Sequence, residues 1–321
     1  MFIEKQPQIY NKYFDLIFIK FPILFPIIYG LFLFTFPSYE NIVIFVALLL
    51  FAEPHFGATW PLFLNKENFQ EIKSKKIRYI YTPILIVFLS IFGFFYANAL
   101  FLLIFFGINM FHVTRQSYGV CKLYKNDNLE LAYQEKIIYL INIIFFTIGI
   151  LRFYLPVITQ DSIFILNLSV FILLSFIFII YFIKFKNIEN LLTLITGCII
   201  FLPICFVDKP IHAIVMGVLM HYTQYISLTF KVYDGRKANQ VEKINSDKFL
   251  GVKNLNFLII IFFYGFVMAV LSSMTNFGKS SFEFLIVIPL TGQMLHFYLD
   301  AFLWKFSEKH NRENTLKYLY N

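Results

Sequence analysis

The chain has 321 residues, of which 59% are hydrophobic and only 14% charged, with 44 Phe and 20 Tyr. A soluble globule cannot hide that much apolar surface, and disordered, collagenous or disulfide-dense chains have other compositions, so the balance points to a polytopic membrane protein. The formal net charge of +8 then reads as basic loops beside anionic lipid headgroups rather than as a nucleic-acid surface. Phe, Ile, Lys, Asn and Tyr share AT-rich codons, so aromatic abundance alone marks no cofactor box. The three cysteines, Cys121, Cys198 and Cys205, fit no zinc or disulfide framework.

The first residues, MFIEKQPQIYNKYFDLIFIKF, lack a short apolar core followed by an A-x-A site, and read as a cytosolic lead-in to a retained first helix. A transmembrane helix needs about 20 mostly apolar residues. Ten stretches qualify: 14–36, 41–64, 78–95, 97–116, 136–155, 162–183, 189–207, 210–230, 255–275 and 281–304. No charge marks the turn at Tyr96-Ala97-Asn98, while Pro210 suits the first turn of a new helix. With ten spans and a cytoplasmic N-terminus, 23 of the 27 Lys and Arg fall in cytoplasmic segments and only Arg152, Lys209 and Lys279 outside, with Lys20 inside the first span. That bias is what the positive-inside rule demands, and an odd error in the number of spans would destroy it. The expected architecture is all-α: a single integral membrane domain over 1–321, about ten transmembrane helices, both termini cytoplasmic, in a bacterial inner membrane.

Ionisable groups inside spans are costly and therefore informative. His310 falls in the charged C-terminal segment and reads as solvated; His212, at the start of the eighth span, reads as interfacial. His55, His112, His221 and His296 sit in the second, fourth, eighth and tenth spans, which all run in one direction. They precede the next cytoplasmic lysine by 11, 10, 10 and 9 residues. At about 1.5 Å rise per residue, that is a common depth of roughly 15 Å. Each has polar company at helical spacing: Gln116 after His112, Gln224 after His221, and Asp300 after His296. Glu53 and His55 flank Pro54, and a kink there turns both inward. Tyr225, one turn from His221, is placed to donate a proton. Arg115 lies at the mouth of the site, where it meets an anionic headgroup or carboxylate. Trp304 reads as an interfacial anchor.

A layer of four imidazoles suits iron(II), zinc or copper, and spacing alone does not choose among them. Zinc favours hydrolysis; iron favours oxygen chemistry on a bilayer-dissolved substrate. A non-covalent haem held by two of the four is a further option, since no CxxCH motif is present.

The segment Pro54-His55-Phe56-Gly57-Ala58, followed by histidines in several later spans, resembles the bacterial Brp/Blh-type β-carotene 15,15′-dioxygenases. Their first box reads PHGAxDH where this chain has PHFGATW. That resemblance implies one iron held by histidines, dioxygen and a polyene substrate. The segments MHYTQY and LHFYLDAFLWK also resemble uncharacterised bacterial integral membrane proteins with HxxQY and HxxxDxxxW elements, which imply no activity. The HExxH and HxxxH boxes of membrane desaturases and alkane hydroxylases are absent.

The resulting expectation is a metal-dependent membrane enzyme, a non-haem iron oxygenase acting on a lipophilic substrate. Its ligands are His55, His112, His221 and His296. Glu53, Asp300, Gln116 and Gln224 orient them, and Arg115 and Tyr225 complete the site. The alternative is a transporter or proton-coupled carrier that uses the same groups as a relay.

Overall fold

The computed structural model describes residues 9–124, 127–155, 157–241, 252–273 and 284–320, and all regular structure among them is helical. Eight helices are long and apolar enough to cross a membrane. In the order of the chain the elements are α1 (Lys12–Thr35), α2 (Pro37–Phe63), the short α3 (Lys66–Ser74), α4 (Ile77–Tyr96), α5 (Asn98–Leu123) and α6 (Asn128–Tyr154). They continue with α7 (Gln160–Phe185), α8 (Ile188–Cys198), α9 (Pro210–Val241), α10 (Val252–Ser273), α11 (Val287–Leu303) and α12 (Lys309–Asn314). The outward faces of α4 and α7 are continuously apolar: Phe88, Leu89 and Phe92 on one, and Phe171, Ile172 and Phe176 on the other, are exposed. Contiguous apolar exposure of that extent is tolerated against lipid and avoided against water.

The uncharged turn expected at Tyr96-Ala97-Asn98 is present: Ala97 leaves the helical region at φ −143°, ψ 47° between α4 and α5. Pro210 opens α9 as expected. Two of the ten expected spans take another form. The seventh, 189–207, is the 11-residue helix α8 followed by a 3-10 turn at Leu202–Cys205. Eleven residues rise about 16 Å, roughly half a bilayer core. The eighth, 210–230, continues for 32 residues to Val241 and is not among the eight most apolar helices. Its side chains are buried in protein on nearly every face, so it does not need the greasy exterior of a lipid-facing helix. Lys5, Lys125, Lys279 and residues 242–251, which enter the charge reading, lie outside the described residues.

The described residues divide into two compact units, each built from two separate parts of the chain. The first comprises Met1–Ser38 and Met110–Gln224. Its interior is tied by polar side chains with matched partners. Glu130 of α6 accepts from the Tyr181 hydroxyl of α7 at 2.6 Å and from the Asn190 amide of α8 at 2.9 Å. Asn142 donates to the Gly197 carbonyl at 3.0 Å. Arg152 donates to the Ile204 and Val207 carbonyls at 2.6 and 3.0 Å and pairs with Asp208 at 2.8 Å, which fixes the turn after α8. Lys20, inside the first span, forms an ion pair with Glu189. At Gly217 of α9 a β-carbon would overlap the Ile200 carbonyl, so only glycine allows that approach.

The second unit comprises Tyr39–Asn109 and Tyr225–Asn321. Here α2 packs on α10, and at the crossing a β-carbon on Gly265 would lie 2.7 Å from the ring of Pro54. A cluster of Phe63, Tyr79, Leu299 and Leu303 joins α2, α4 and α11. Below it, Arg236 is almost fully buried and donates to the carbonyls of Leu62 at 3.0 Å and Asn314 at 2.7 Å. These carbonyls belong to the last turns of α2 and α12, where helices leave acceptors unsatisfied. His310, expected to be solvated, is instead half-buried, with Nε2 2.8 Å from Oδ1 of Asn68. Trp304, expected as an interfacial anchor, packs against that same apolar cluster.

Candidate metal centre

The second unit carries the densest set of buried polar groups around a histidine pair. Pro54 has no N–H and its ring collides with the preceding turn, so the helix must adjust before it. In α2 it does so by widening over Leu48–Ala52, where the Glu53 N–H reaches back to the Leu48 carbonyl. Single wide turns of this kind recur at functional sites because they redirect the side chains that follow. Here the side chains that follow are Glu53, His55 and Thr59, and all three are buried.

His55 meets His296 of α11 with ring centroids 4.6 Å apart, and it lies 4.4 Å from the ring of Tyr225. Phe56 and Phe297 close on the His296 ring at 5.1 and 5.8 Å. This apolar wall keeps water from His296, which is fully buried.

Thr59 lies within hydrogen-bond reach of three groups: the Tyr225 hydroxyl at 2.9 Å, His296 Nδ1 at 2.6 Å and Asp300 Oδ1 at 3.0 Å. Thr59 and Tyr225 each own one hydroxyl proton. Both are given to Oδ1 of Asp300, at 3.0 and 2.7 Å, as a carboxylate is the strongest acceptor in reach. The Thr59 oxygen is then left to accept, and His296 Nδ1 stands 2.6 Å from it. In that arrangement His296 carries its proton on Nδ1 and its lone pair on Nε2. That Nε2 lies 3.8 Å from Oδ2 of Asp300, one turn on. The separation is too long for a hydrogen bond. It falls within the limit of about 4.2 Å for two donors that each sit 2.0–2.2 Å from one ion. A neutral imidazole nitrogen and a carboxylate oxygen held at that separation fit a transition-metal ion, with His55 as a second imidazole beside them. Thr59 acts as the outer partner that fixes a ligand's tautomer.

Of the other expected site residues, His112 and His221 come together in the first unit, with ring centroids 6.1 Å apart and both rings buried. His112 and His221 thus belong to the first unit, and His55 and His296 to the second. Glu53 is fully buried, and its Oε1 accepts from the Gln293 amide at 3.2 Å. Gln224 belongs to the first unit, where its amide donates to the Ile19 carbonyl at 2.7 Å and lies 3.4 Å from the Thr196 hydroxyl. Arg115 and Gln116 are half-buried in the first unit. His212 is buried rather than interfacial, and its Nδ1 lies 2.7 Å from the Tyr29 hydroxyl. Thr59 and Gln293 were not singled out by sequence reasoning. Thr59 stands four residues after His55, so the helical spacing used for the other partners finds it once hydroxyls are admitted. No family model, no curated protein and no solved structure matches the chain.

Proposed function

We propose that the chain is an integral membrane protein with a metal-dependent activity of the non-haem iron oxygenase class, acting on a lipophilic substrate such as a carotenoid or another lipid. The observation that carries this reading is the buried pair of His296 and Asp300, ordered by Thr59 and Tyr225, with the His55 ring beside it. Two imidazoles and one carboxylate are the donors that non-haem iron(II) oxygenases use. His55, His296 and Asp300 would hold the ion, and His112 and His221 are the second candidate pair. Bound there, iron(II) would supply the activation of dioxygen. The protein's own part is separate. Thr59 holds His296 in the Nδ1–H form, and Phe56 and Phe297 exclude water. Tyr225 keeps a proton at its hydroxyl, hydrogen-bonded to Asp300, where it can be passed to a reacting oxygen. The apolar wall of Phe56 and Phe297 suits a substrate that arrives from the bilayer. The charge distribution supports about ten crossings of a bacterial inner membrane with both termini cytoplasmic, and a reporter fused after Asn321 should be active only on that side.

Metal content tests the proposal. Purified wild-type protein should retain close to one or two equivalents of a transition metal, and His296→Ala should lose it. The same measurement on His55→Ala, His112→Ala and His221→Ala identifies which pair binds. A haem would declare itself by a Soret band. The second reading, a proton-coupled carrier, is favoured by one observation: the hydrogen bonds that link His296, Thr59, Asp300 and Tyr225 join groups able to pass protons within the bilayer. Protein that is folded, active in proton-coupled uptake and metal-free would favour that reading and overturn the first.

A further inference from the structure

The connector between α2 and α4 carries a feature the metal centre does not use. Lys73, Lys75, Lys76 and Arg78 fall within six residues, and they border an open groove of about 650 Å³. The opposite wall is aromatic, made by Tyr298 and Phe302 of α11, and Ile77 lies at the edge, largely exposed. Arg78 is fixed: its guanidinium sits 4.4 Å over the Phe302 ring and donates to Glu308 at 3.0 and 3.2 Å. Glu308 also binds Lys75 and Lys305, each at 3.2 Å. One carboxylate therefore serves three cations, and Glu71 adds one more partner for Lys75. Lys73 and Lys76 are exposed and make no ion pair among the described residues. Lys73 instead covers the ring of the exposed Phe69 at 4.8 Å.

The groove thus presents surplus positive charge beside the exposed Ile77 and the half-exposed Tyr298 and Phe302, at the end of two helices apolar enough to cross a membrane. A soluble anion would match the lysines and leave Ile77, Tyr298 and Phe302 wet. An acyl lipid with an anionic headgroup satisfies both halves: phosphate at Lys73 and Lys76, acyl chain along Ile77 and Phe302. We propose that this groove is a binding site for an anionic phospholipid. The site shares a helix with the metal centre. Tyr298 and Phe302 each follow His296 and Asp300 by two residues, about 200° around α11, so the lipid and the candidate ligands occupy opposite faces of one helix. The inference rests on the reading of the chain as a membrane protein, not on the identity of the metal.

The two tryptophans of the chain, Trp60 and Trp304, pack on the cluster that also holds Tyr298 and Phe302, so they report from beside the groove. Full-length protein in phosphatidylcholine-containing micelles is titrated with phosphatidylglycerol, then with phosphatidylcholine, each brominated in the acyl chain, and tryptophan quenching is followed. Wild type should be half-quenched at several-fold less phosphatidylglycerol than phosphatidylcholine. In K73Q/K76Q that several-fold preference should fall to near parity. K309Q/K317Q, which removes as much charge outside the groove, should leave it unchanged. Both lysines of the test pair are exposed, and an unchanged melting temperature confirms intact folding. Equal quenching by the two lipids in wild type, or an undiminished preference in K73Q/K76Q, overturns the proposal. Displacement by glycerol 3-phosphate at matched concentration assigns the groove to a soluble phosphate and equally overturns it. A chain that stays monodisperse without detergent would refute the membrane reading itself, and that is scored before any lipid is added.

Discussion

Each unit buries a carboxylate against a tyrosine hydroxyl, Glu130 in the first and Asp300 in the second, and these two are used differently. In the first unit, Glu130 takes one donor on each oxygen, Tyr181 at 2.6 Å and Asn190 at 2.9 Å, from two other helices. The charge is spent on joining α6, α7 and α8. In the second unit, Asp300 takes both hydroxyl donors, from Tyr225 and Thr59, on the single oxygen Oδ1. Its Oδ2 is turned towards His296 Nε2 at 3.8 Å, beyond hydrogen-bond reach of that nitrogen. A carboxylate that glues a bundle distributes its donors. One that presents an oxygen beside an imidazole lone pair concentrates them. Burial alone does not separate the two cases, because both side chains are buried.

The comparison breaks most readily on metal content. His296→Ala should abolish bound metal, and Asp300→Asn, which removes an anionic ligand, should weaken it by more than the roughly 10–100-fold typical of changes around a ligand. Glu130→Gln should leave it intact while lowering thermal stability. If Glu130→Gln releases as much metal as Asp300→Asn at matched yield, the distinction between the two carboxylates is wrong.

Thr59→Val sharpens it. The change keeps the shape and removes the acceptor for His296 Nδ1–H, which leaves a buried donor unsatisfied at a cost of about 1–3 kcal/mol. Metal affinity should fall about tenfold and recover in Thr59→Ser, read by competition with a chelator. Recovery in neither, or loss in neither, would remove Thr59 from the site.

Backbone contacts give a smaller effect in the second unit. Gly265→Ala should cost about 1–3 kcal/mol by overpacking against the rigid Pro54 ring, and it should reduce metal retention by shifting His55. Loss of stability with metal unchanged would mean that the Pro54 crossing supports the fold but not the site.

The smallest expected effect is a pH dependence at Glu308, outside the spans. Burial opposes its ionisation, but hydrogen bonds from Lys75, Lys305 and Arg78 prevail and bring its pKa from 4.5 down to about 2. The unfolded chain therefore takes up the proton first as pH falls. The contribution of Glu308 is complete above 4.5 and is lost progressively towards 2. Melting temperatures of wild type and Glu308→Gln should differ by a few degrees at neutral pH and converge across that window.

Much of the helical layout was legible because a bilayer imposes one requirement, about 20 apolar residues, that outweighs local detail. Eight expected spans have helical counterparts for that reason, down to the turn at Ala97. The requirement fails where helices are wrapped in protein. There α8 ends at Cys198 because Arg152 captures the carbonyls that follow, and α9 runs on to Val241 with polar residues that meet protein groups. The histidines were legible because ionisable groups in spans are rare. Their division between the two units was not, because a unit is set by packing rather than by position along a helix. Thr59 was missed because a threonine in a span is ordinary, and only its three partners at one point make it notable.

The second unit is discontinuous in the chain, and Arg236 joins its early part to its late part by grasping Leu62 and Asn314. During synthesis, α2 emerges with Glu53 and His55 long before α10 and α11 exist to cover them. The 115 residues of 110–224 intervene, and at about 5–20 residues per second they take on the order of ten seconds to make. For that interval a helix with an acid and an imidazole in its middle has no partner of its own unit beyond α4 and the start of α5. If α2 enters a bilayer at that stage, it is a poor client for spontaneous release into lipid, and retention beside the insertion machinery would cover the interval.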